Sequence, residues 1–412
     1  MFHPRPHIRP RARYLIAPLV LWGLFSAGPL RAQSEPAPPL RDTLAASAAD
    51  TTLVVAPDSV AARPTGWERF KRFFTESNQV KKQKKFDFSV IGGPFYSNDV
   101  QLGLGIVASG LYRMDRRDTL TQPSNVSLFG SVATSGFYII GIQGSNLFPR
   151  DRYRLNYTLY TLSFPSYFWG IGYDMAADKA NKSKYTQKQN QLKVDFQFRI
   201  ADHLYLGPTA SINHVDGLRL EQPRLLAGQS PYVTSIGVGF VLNYDTRDVM
   251  TNAYKGWYIG LEQYANPKWL GNSGTYGRTD LIVDYYQRLW KGAVLAFDLH
   301  TQHNYGDVPW TMMAKMGGSY RMRGYYDGQY RDRNLTEIQI ELRQHIYNRH
   351  GVAVWVGAGN VYKNFKTFRW SHTLPNYGIG YRWEFKNRVN VRLDYGFGKG
   401  QSGFLFQINE AF

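Results

Sequence analysis

Residues 336–346 read Thr-Glu-Ile-Gln-Ile-Glu-Leu-Arg-Gln-His-Ile, an almost strict alternation of polar and apolar side chains. Ile338, Ile340, Leu342 and Ile346 share one face, and Glu337, Gln339, Glu341, Arg343 and His345 share the other. Successive side chains on a β-strand point to opposite sides, so this period of two describes a strand with one oily and one ionic face. The same period runs through 192–200, Leu-Lys-Val-Asp-Phe-Gln-Phe-Arg-Ile. It returns where Val389, Val391, Leu393, Tyr395 and Phe397 alternate with Asn390, Arg392 and Asp394, and where Leu281, Val283, Tyr285 and Leu289 alternate with Asp280, Asp284 and Arg288.

An oily face can meet a second sheet in a soluble sandwich, or lipid in a membrane barrel. Three features choose the barrel. The periodic segments run about ten residues, the length at which a tilted strand crosses the hydrocarbon layer, whereas ordinary strands are nearer five or six. Aromatic residues gather at segment ends, in Tyr167-Phe168-Trp169, Trp257-Tyr258, Tyr285-Tyr286 with Trp290, and Tyr381 with Trp383, as interfacial girdles do. Short turns at 134–136, 201–203, 290–292, 348–351 and 386–388 contrast with long loops at 114–123, 174–184, 214–231, 304–334 and 360–373, the contrast between periplasmic turns and outer loops. The expected fold is all-β, a 16-stranded antiparallel transmembrane β-barrel of the outer-membrane type. Its first strand is expected at 100–113, two neighbouring strands at 152–163 and 167–175, and the last at 402–412. Residues 86–95 are left over, as a lead-in or as part of the first strand.

The rest of the 412-residue chain fits that reading. It has no cysteine, which excludes disulfide scaffolds, thiolate zinc sites, iron–sulfur clusters and cysteine nucleophiles. Aromatics reach 15% and charged residues only 19%, too aromatic for disorder, and beyond residue 30 no apolar run is long enough for a spanning helix. Arg5, Arg9, Arg11 and Arg13 precede an apolar stretch from Tyr14 to Ala27 that ends in Leu30-Arg31-Ala32. Residues 1–32 therefore read as a secretory signal peptide. Its loss removes five arginines from a formal charge of +18. Residues 33–85 read as a periplasmic linker containing a short amphipathic helix at 64–80, with Trp67, Phe70, Phe73 and Phe74 opposite Arg69, Lys71 and Arg72, and Lys81, Lys82, Lys84 and Lys85 following. That helix has two open readings: its basic side on anionic lipid, or its apolar side packed on the barrel, which occupies 86–412.

The longest loop carries the most specific signal. Gly317-Gly318 and Arg323-Gly324-Tyr325 resemble the signature loop of the BamA/TamA outer-membrane barrel superfamily, the bacterial surface antigen family. Asp245-Thr-Arg-Asp248 before Lys255-Gly256-Trp257, then Glu341-Leu-Arg343 and Gly359-Asn360-Val361, follow in the family's order. The chain ends in Phe404-Leu-Phe406-Gln-Ile408-Asn-Glu-Ala-Phe412, similar to the terminal-aromatic strand that barrel assembly machineries recognise. The resemblance covers roughly 86–412. It implies that the loop folds into the lumen and that Arg323 pairs with Glu341. It also implies a second acid on the next strand, where this chain has Gly357. The family carries POTRA modules before the barrel, and 33–85 is too short for one, so this reads as a short member without them.

Enzyme signatures were weighed against the wall. Gly103-Leu-Gly105-Ile-Val-Ala108 matches the dinucleotide fingerprint in form, but it runs on into strand where a helix should open. His300 and His303 lie three apart on a strand and face opposite sides. No enzyme activity, metal or other cofactor is expected. The expected function is insertion or translocation of protein or lipid at the outer membrane, through a weak seam between the first and last strands. The alternative is a passive pore or structural barrel. Expected partners are outer-membrane lipid, both lipopolysaccharide and phospholipid, and the barrel assembly machinery during biogenesis. The positive charge comes with no nucleic-acid-reading motif, so nucleic acid is not among them.

The amphipathic stretch yields a direct test. Peptide 64–85 should bind anionic vesicles, each lysine near the surface contributing about 1 kcal/mol, and salt should weaken it. No binding at low salt leaves packing on the barrel as the role of the helix.

Overall fold

The computed structural model describes residues 86–97, 101–115, 124–250, 252–386 and 388–412. The signal segment 1–32 and the amphipathic stretch 64–80 lie outside the described residues. Sixteen strands form one antiparallel sheet in which every strand bonds to its sequence neighbours. They are β1 (Phe86–Ser97), β2 (Gln101–Tyr112), β3 (Ser124–Ala133), β4 (Tyr138–Leu147), β5 (Tyr153–Phe168), β6 (Ser183–Ala201), β7 (Leu204–Leu218) and β8 (Tyr232–Asp245). The second half comprises β9 (Gly256–Asn266), β10 (Tyr276–Arg288), β11 (Ala293–Gly306), β12 (Asn334–Tyr347), β13 (His350–Tyr362), β14 (Leu374–Lys386), β15 (Val389–Gly398) and β16 (Gln401–Ile408). This is a 16-stranded β-barrel whose order ends on β1 and β16.

The period-two pattern becomes two surfaces. On β12, Ile338 and Ile340 are exposed on the outside, while Glu337, Gln339, Glu341 and Arg343 are buried in the interior. Leu128, Val132, Ile140, Leu192, Ile212, Val238, Val354 and Ile379 extend the outer apolar belt around the wall. Water would penalise such a belt at about 25 cal/mol per Å², so lipid is its natural solvent. Trp257 and Tyr285 pack tilted against each other on this surface with ring centroids 4.3 Å apart, and Trp290 is exposed just beyond the end of β10, as an interfacial girdle requires.

The strand count agrees with the sequence reading, but two compensating differences underlie it. Residues 86–95, left over in the sequence, belong to β1, which runs to Ser97 and pairs along its whole length with β2 from Phe86↔Tyr112 to Ser97↔Gln101. Gly92, Gly93 and Pro94 mask the alternation there. Conversely, 152–163 and 167–175 are not two strands: Tyr153–Phe168 is a single strand of 16 residues. Its ladder with β4 ends at Tyr138↔Ser163, so beyond that point β5 has β6 alone as a neighbour. Pro165 falls in this one-sided stretch, where a residue without an N–H is accommodated.

The shift reverses two connections. Counting hairpins back from β16, the finish of β2 and the start of β3 lie at the end of the barrel that holds the start of β1 and the finish of β16, and turn 134–137 lies at the opposite end with the long loops. Loop length misled at both places. The last strand also stops short of the sequence expectation: β16 ends at Ile408, and Asn409, with a left-handed φ of 70°, turns the remaining residues inward.

Three loops close the long-loop end over the lumen. Phe168 and Trp169, expected in the girdle, are instead buried beneath them. Phe168 packs on Trp310 at 5.1 Å and Trp169 on Tyr326 at 5.2 Å, with Leu225 and Leu226 of the β7–β8 loop completing the layer. At the other end Asp248 accepts from Arg388 at 2.8 Å, joining the β8–β9 and β14–β15 turns. Burial pushes the Asp248 carboxyl up, but hydrogen bonds from Arg388 and the Tyr254 N–H outweigh it and hold the group below its usual range.

The hairpin count sets a labelling pattern. Single cysteines at Ser135, Asp178 and Gln229 should react from one side of the membrane with an impermeant reagent, and those at Asp202 and Asn348 from the other. Reaction of Ser135→Cys together with Asp202→Cys would disprove the order of the first strands.

Candidate functional site

The β11–β12 connection enters the lumen through a two-residue hairpin, Ala314↔Asp332 and Lys315↔Arg331. Gly317 and Gly318 turn the chain there with φ of 105° and 110°, values that L side chains rarely adopt. Beyond them Met316 and Met322 pack against Leu335, Val361 and Leu374, which anchors the loop on an apolar floor.

At the tip, Arg323 is fully buried between two carboxylates on non-adjacent strands. Its Nη2 donates to Glu341 Oε2 of β12 at 2.5 Å, and its Nη1 to Asp394 Oδ2 of β15 at 2.7 Å. The guanidinium lies 3.6 Å from the ring centroid of Trp355 on β13, the cross-strand partner of Glu341. Removing a guanidinium from water costs several kcal/mol, and opposed carboxylates with a π face are the surroundings that offset it.

The resemblance implied a second acid on the strand after Glu341, and Gly357 stands there without one. The structure supplies that acid from β15 as Asp394. Its carboxylate also accepts from Arg382 at 2.5 Å and from Arg392 at 2.8 Å. Arg343 holds the other oxygen of Glu341 at 2.7 Å. Arg382 continues to Glu410 at 2.8 Å, and Arg343 donates to the main-chain oxygen of Phe412 at 3.0 Å. The inward-turned tail and the signature loop thus share one buried ionic network. On the loop's other flank Arg321 forks onto Asp298 of β11, closest at 2.6 Å.

Glycines in the wall make room for the tip. Gly378 and Gly380 of β14 face Trp355 and Asp394, and Gly396 and Gly398 of β15 face Arg323 and Tyr325; a Cβ at any of the four would collide with the side chain or backbone opposite. Gly324, with φ of 105°, lays its backbone against Gly396. Tyr325 then donates its hydroxyl to the Pro375 carbonyl at 2.7 Å and accepts from the Lys399 N–H at 2.7 Å. Asn376 donates to the Arg323 carbonyl and accepts from Trp355 Nε1 at 2.9 Å.

Sequence reading singled out Arg323, Gly324, Tyr325, Glu341, Gly317 and Gly318, and these converge in the lumen. It did not single out Asp394, Trp355, Arg392 or the glycine recess. Asp394 stood on the polar face of its strand, and glycine alternated with large side chains in Tyr377-Gly378-Ile379-Gly380-Tyr381; both were readable signals. The residues of the expected C-terminal signal separate. Phe404 is exposed on the outer face, Phe406 is half-buried, and Phe412 lies inside the barrel near Tyr286, with centroids 6.4 Å apart. The strand position of Ile408 closes the β15 ladder opposite Val391. His300 contacts Asp280 at 3.3 Å and Glu337 at 2.7 Å, and His303 contacts Thr301, so the two histidines keep separate company.

A sixteen-stranded wall with an arginine-pinned inward loop defines an outer-membrane barrel of the BamA/TamA type. The Omp85 superfamily domain matches residues 144–412, and the chain belongs to the Omp85 superfamily of the bacterial outer membrane. Among solved structures, BamA from Haemophilus ducreyi lacking POTRA domains 1–3 is similar at a TM-score of 0.52 and 14% identity, over 80% of this chain and 70% of that one. CdiB from Escherichia coli is similar at a TM-score of 0.52 and 11% identity, over 80% of this chain and 62% of that one. At such identities the likeness is one of fold. No curated protein matches the chain in sequence.

Arg323→Ala removes the loop's hold on Glu341 and Asp394 while Arg343, Arg382 and Arg392 still pair with them, a loss of roughly 1.5–3 kcal/mol for a charge-assisted hydrogen bond. It should lower the unfolding temperature on heat-modifiability gels and expose the loop to protease. Glu341→Ala should do the same, and the double variant should be less than additive. Full additivity would show that the two side chains act separately.

Proposed function

We propose that the chain inserts or translocates protein or lipid at the outer membrane, opening at the seam between β1 and β16 while the signature loop occupies the lumen. The observation that carries this reading is the Arg323 clamp: a free pore has no need of a loop sealed into its wall by Glu341, Asp394 and Trp355. Placing β1 at Phe86–Ser97 moves the seam from the strand expected in the sequence to one holding Gly92 and Gly93, which weaken a ladder. On the other side β15 and β16 pair over only eight residues, from Val391↔Ile408 to Gly398↔Gln401. Outer-membrane lipid surrounds the belt, and Phe404 and Phe406 on the last strand support recognition by the assembly machinery during biogenesis.

Planar-bilayer recording on purified protein tests the plug. The expected result is a small, flickering conductance that rises in Arg323→Ala and Asp394→Ala. A steady, large conductance in the unaltered protein would favour a passive pore. Insertion itself is read by folding of an unfolded outer-membrane barrel into vesicles holding the protein, which a disulfide between β1 and β16 should block.

A further inference from the structure

A small interior cavity apart from the clamp has a charge that the clamp does not explain. It holds about 20 Å³ and is lined by Gln189 of β6, Asn213 of β7, and Trp310, Thr311, Lys315 and Arg331 of the loop and its neck. Lys315 and Arg331 are the directly opposed pair of the neck hairpin, so their side chains project to the same side. Arg331 is 2% exposed. Its Nε donates to the Gly328 carbonyl at 3.1 Å, but its Nη1 has no hydrogen-bond partner among the described residues, and neither has the buried Thr311 hydroxyl. The acid that acts on Lys315 is Asp327, which is exposed to solvent. The remaining polar groups are spoken for: Gln189 donates to Asn213 at 2.9 Å, and Asn213 to the Met312 sulfur.

Two basic side chains and two donors without partners therefore border one water-sized space, the Arg331 guanidinium lying also 4.9 Å from the Phe168 ring centroid. Water could fill it, since about 10–15 Å³ admits one molecule, yet water neutralises neither charge, and like charges side by side in a low dielectric repel strongly. About 20 Å³ is on the scale of a single small ion. We propose that this cavity binds a monatomic anion, chloride under ordinary conditions, held by Arg331 Nη1, the Thr311 hydroxyl and the Lys315 ammonium. The site sits at the neck of the hairpin that closes the Arg323 loop. The anion would bridge the two sides of that neck to Thr311, which adds to the loop's anchorage beyond the clamp and does not depend on the transport reading.

The test uses the full chain in detergent micelles at constant ionic strength. Replacing sodium gluconate with chloride or bromide should raise the unfolding temperature along a saturating curve, and Lys315→Met and Arg331→Gln should each lose that rise. Bromide-soaked crystals of the unaltered protein should show an anomalous peak beside Arg331 Nη1, which keeps the proposal open to refutation if a variant fails to fold. Equal unfolding temperatures in gluconate and halide, or no bromide peak at the cavity, would overturn it and leave a water there.

Discussion

A guanidinium sealed from water must be met by carboxylates, or the chain that carries it will not stay buried. Arg323 imposes that condition on a loop, and much of the interior follows from it. Glu341 and Asp394 must face the same point from strands that are not neighbours, so β12 through β15 have to curve around the loop tip. Trp355 has to lie flat under the guanidinium, which is possible because Gly378 leaves its ring unobstructed. The backbone of Gly324 has to touch the wall, which is possible because Gly396 has no side chain.

The same ionic network reaches towards the other end of the lumen. Glu341 offers one oxygen to Arg323 and the other to Arg343, and Arg343 in turn holds the tail at Phe412. Asp394 is likewise divided between Arg323 and Arg382, and Arg382 holds Glu410. A movement of the tail therefore redistributes the hydrogen bonds available to the loop through shared carboxylates. The tail follows directly after β16, which stands at the end of the strand order.

The sequence disclosed this architecture where side-chain chemistry is periodic and concealed it where glycine and proline interrupt. Residues 336–346 and 192–200 could hardly be read as anything but two-faced strands. At Gly92-Gly93-Pro94 the absence of side chains removed the signal, and at Pro165 a residue that usually ends a strand sits inside one, because that stretch of β5 has a neighbour on one side only. Arg323 and Glu341 were legible through the order of motifs around them. Asp394 was visible as a lumen-facing acid but not as their partner, because contacts between non-adjacent strands depend on how far the wall bends and leave no spacing to read. The inward turn at Asn409 was hidden behind aromatic residues that look the same whether they face lipid or lumen.

The strands are far from equal in length. β5 and β6 hold 16 and 19 residues, while β3 and β15 hold 10 each and β16 only eight. At about 3.3 Å per residue, the flank around β6 rises well above the flank that ends on β16. A bilayer meeting so uneven a rim is pulled to a different height at each point, and it thins where the apolar stretch is shortest. The rim is lowest beside β16, at the end of the strand order.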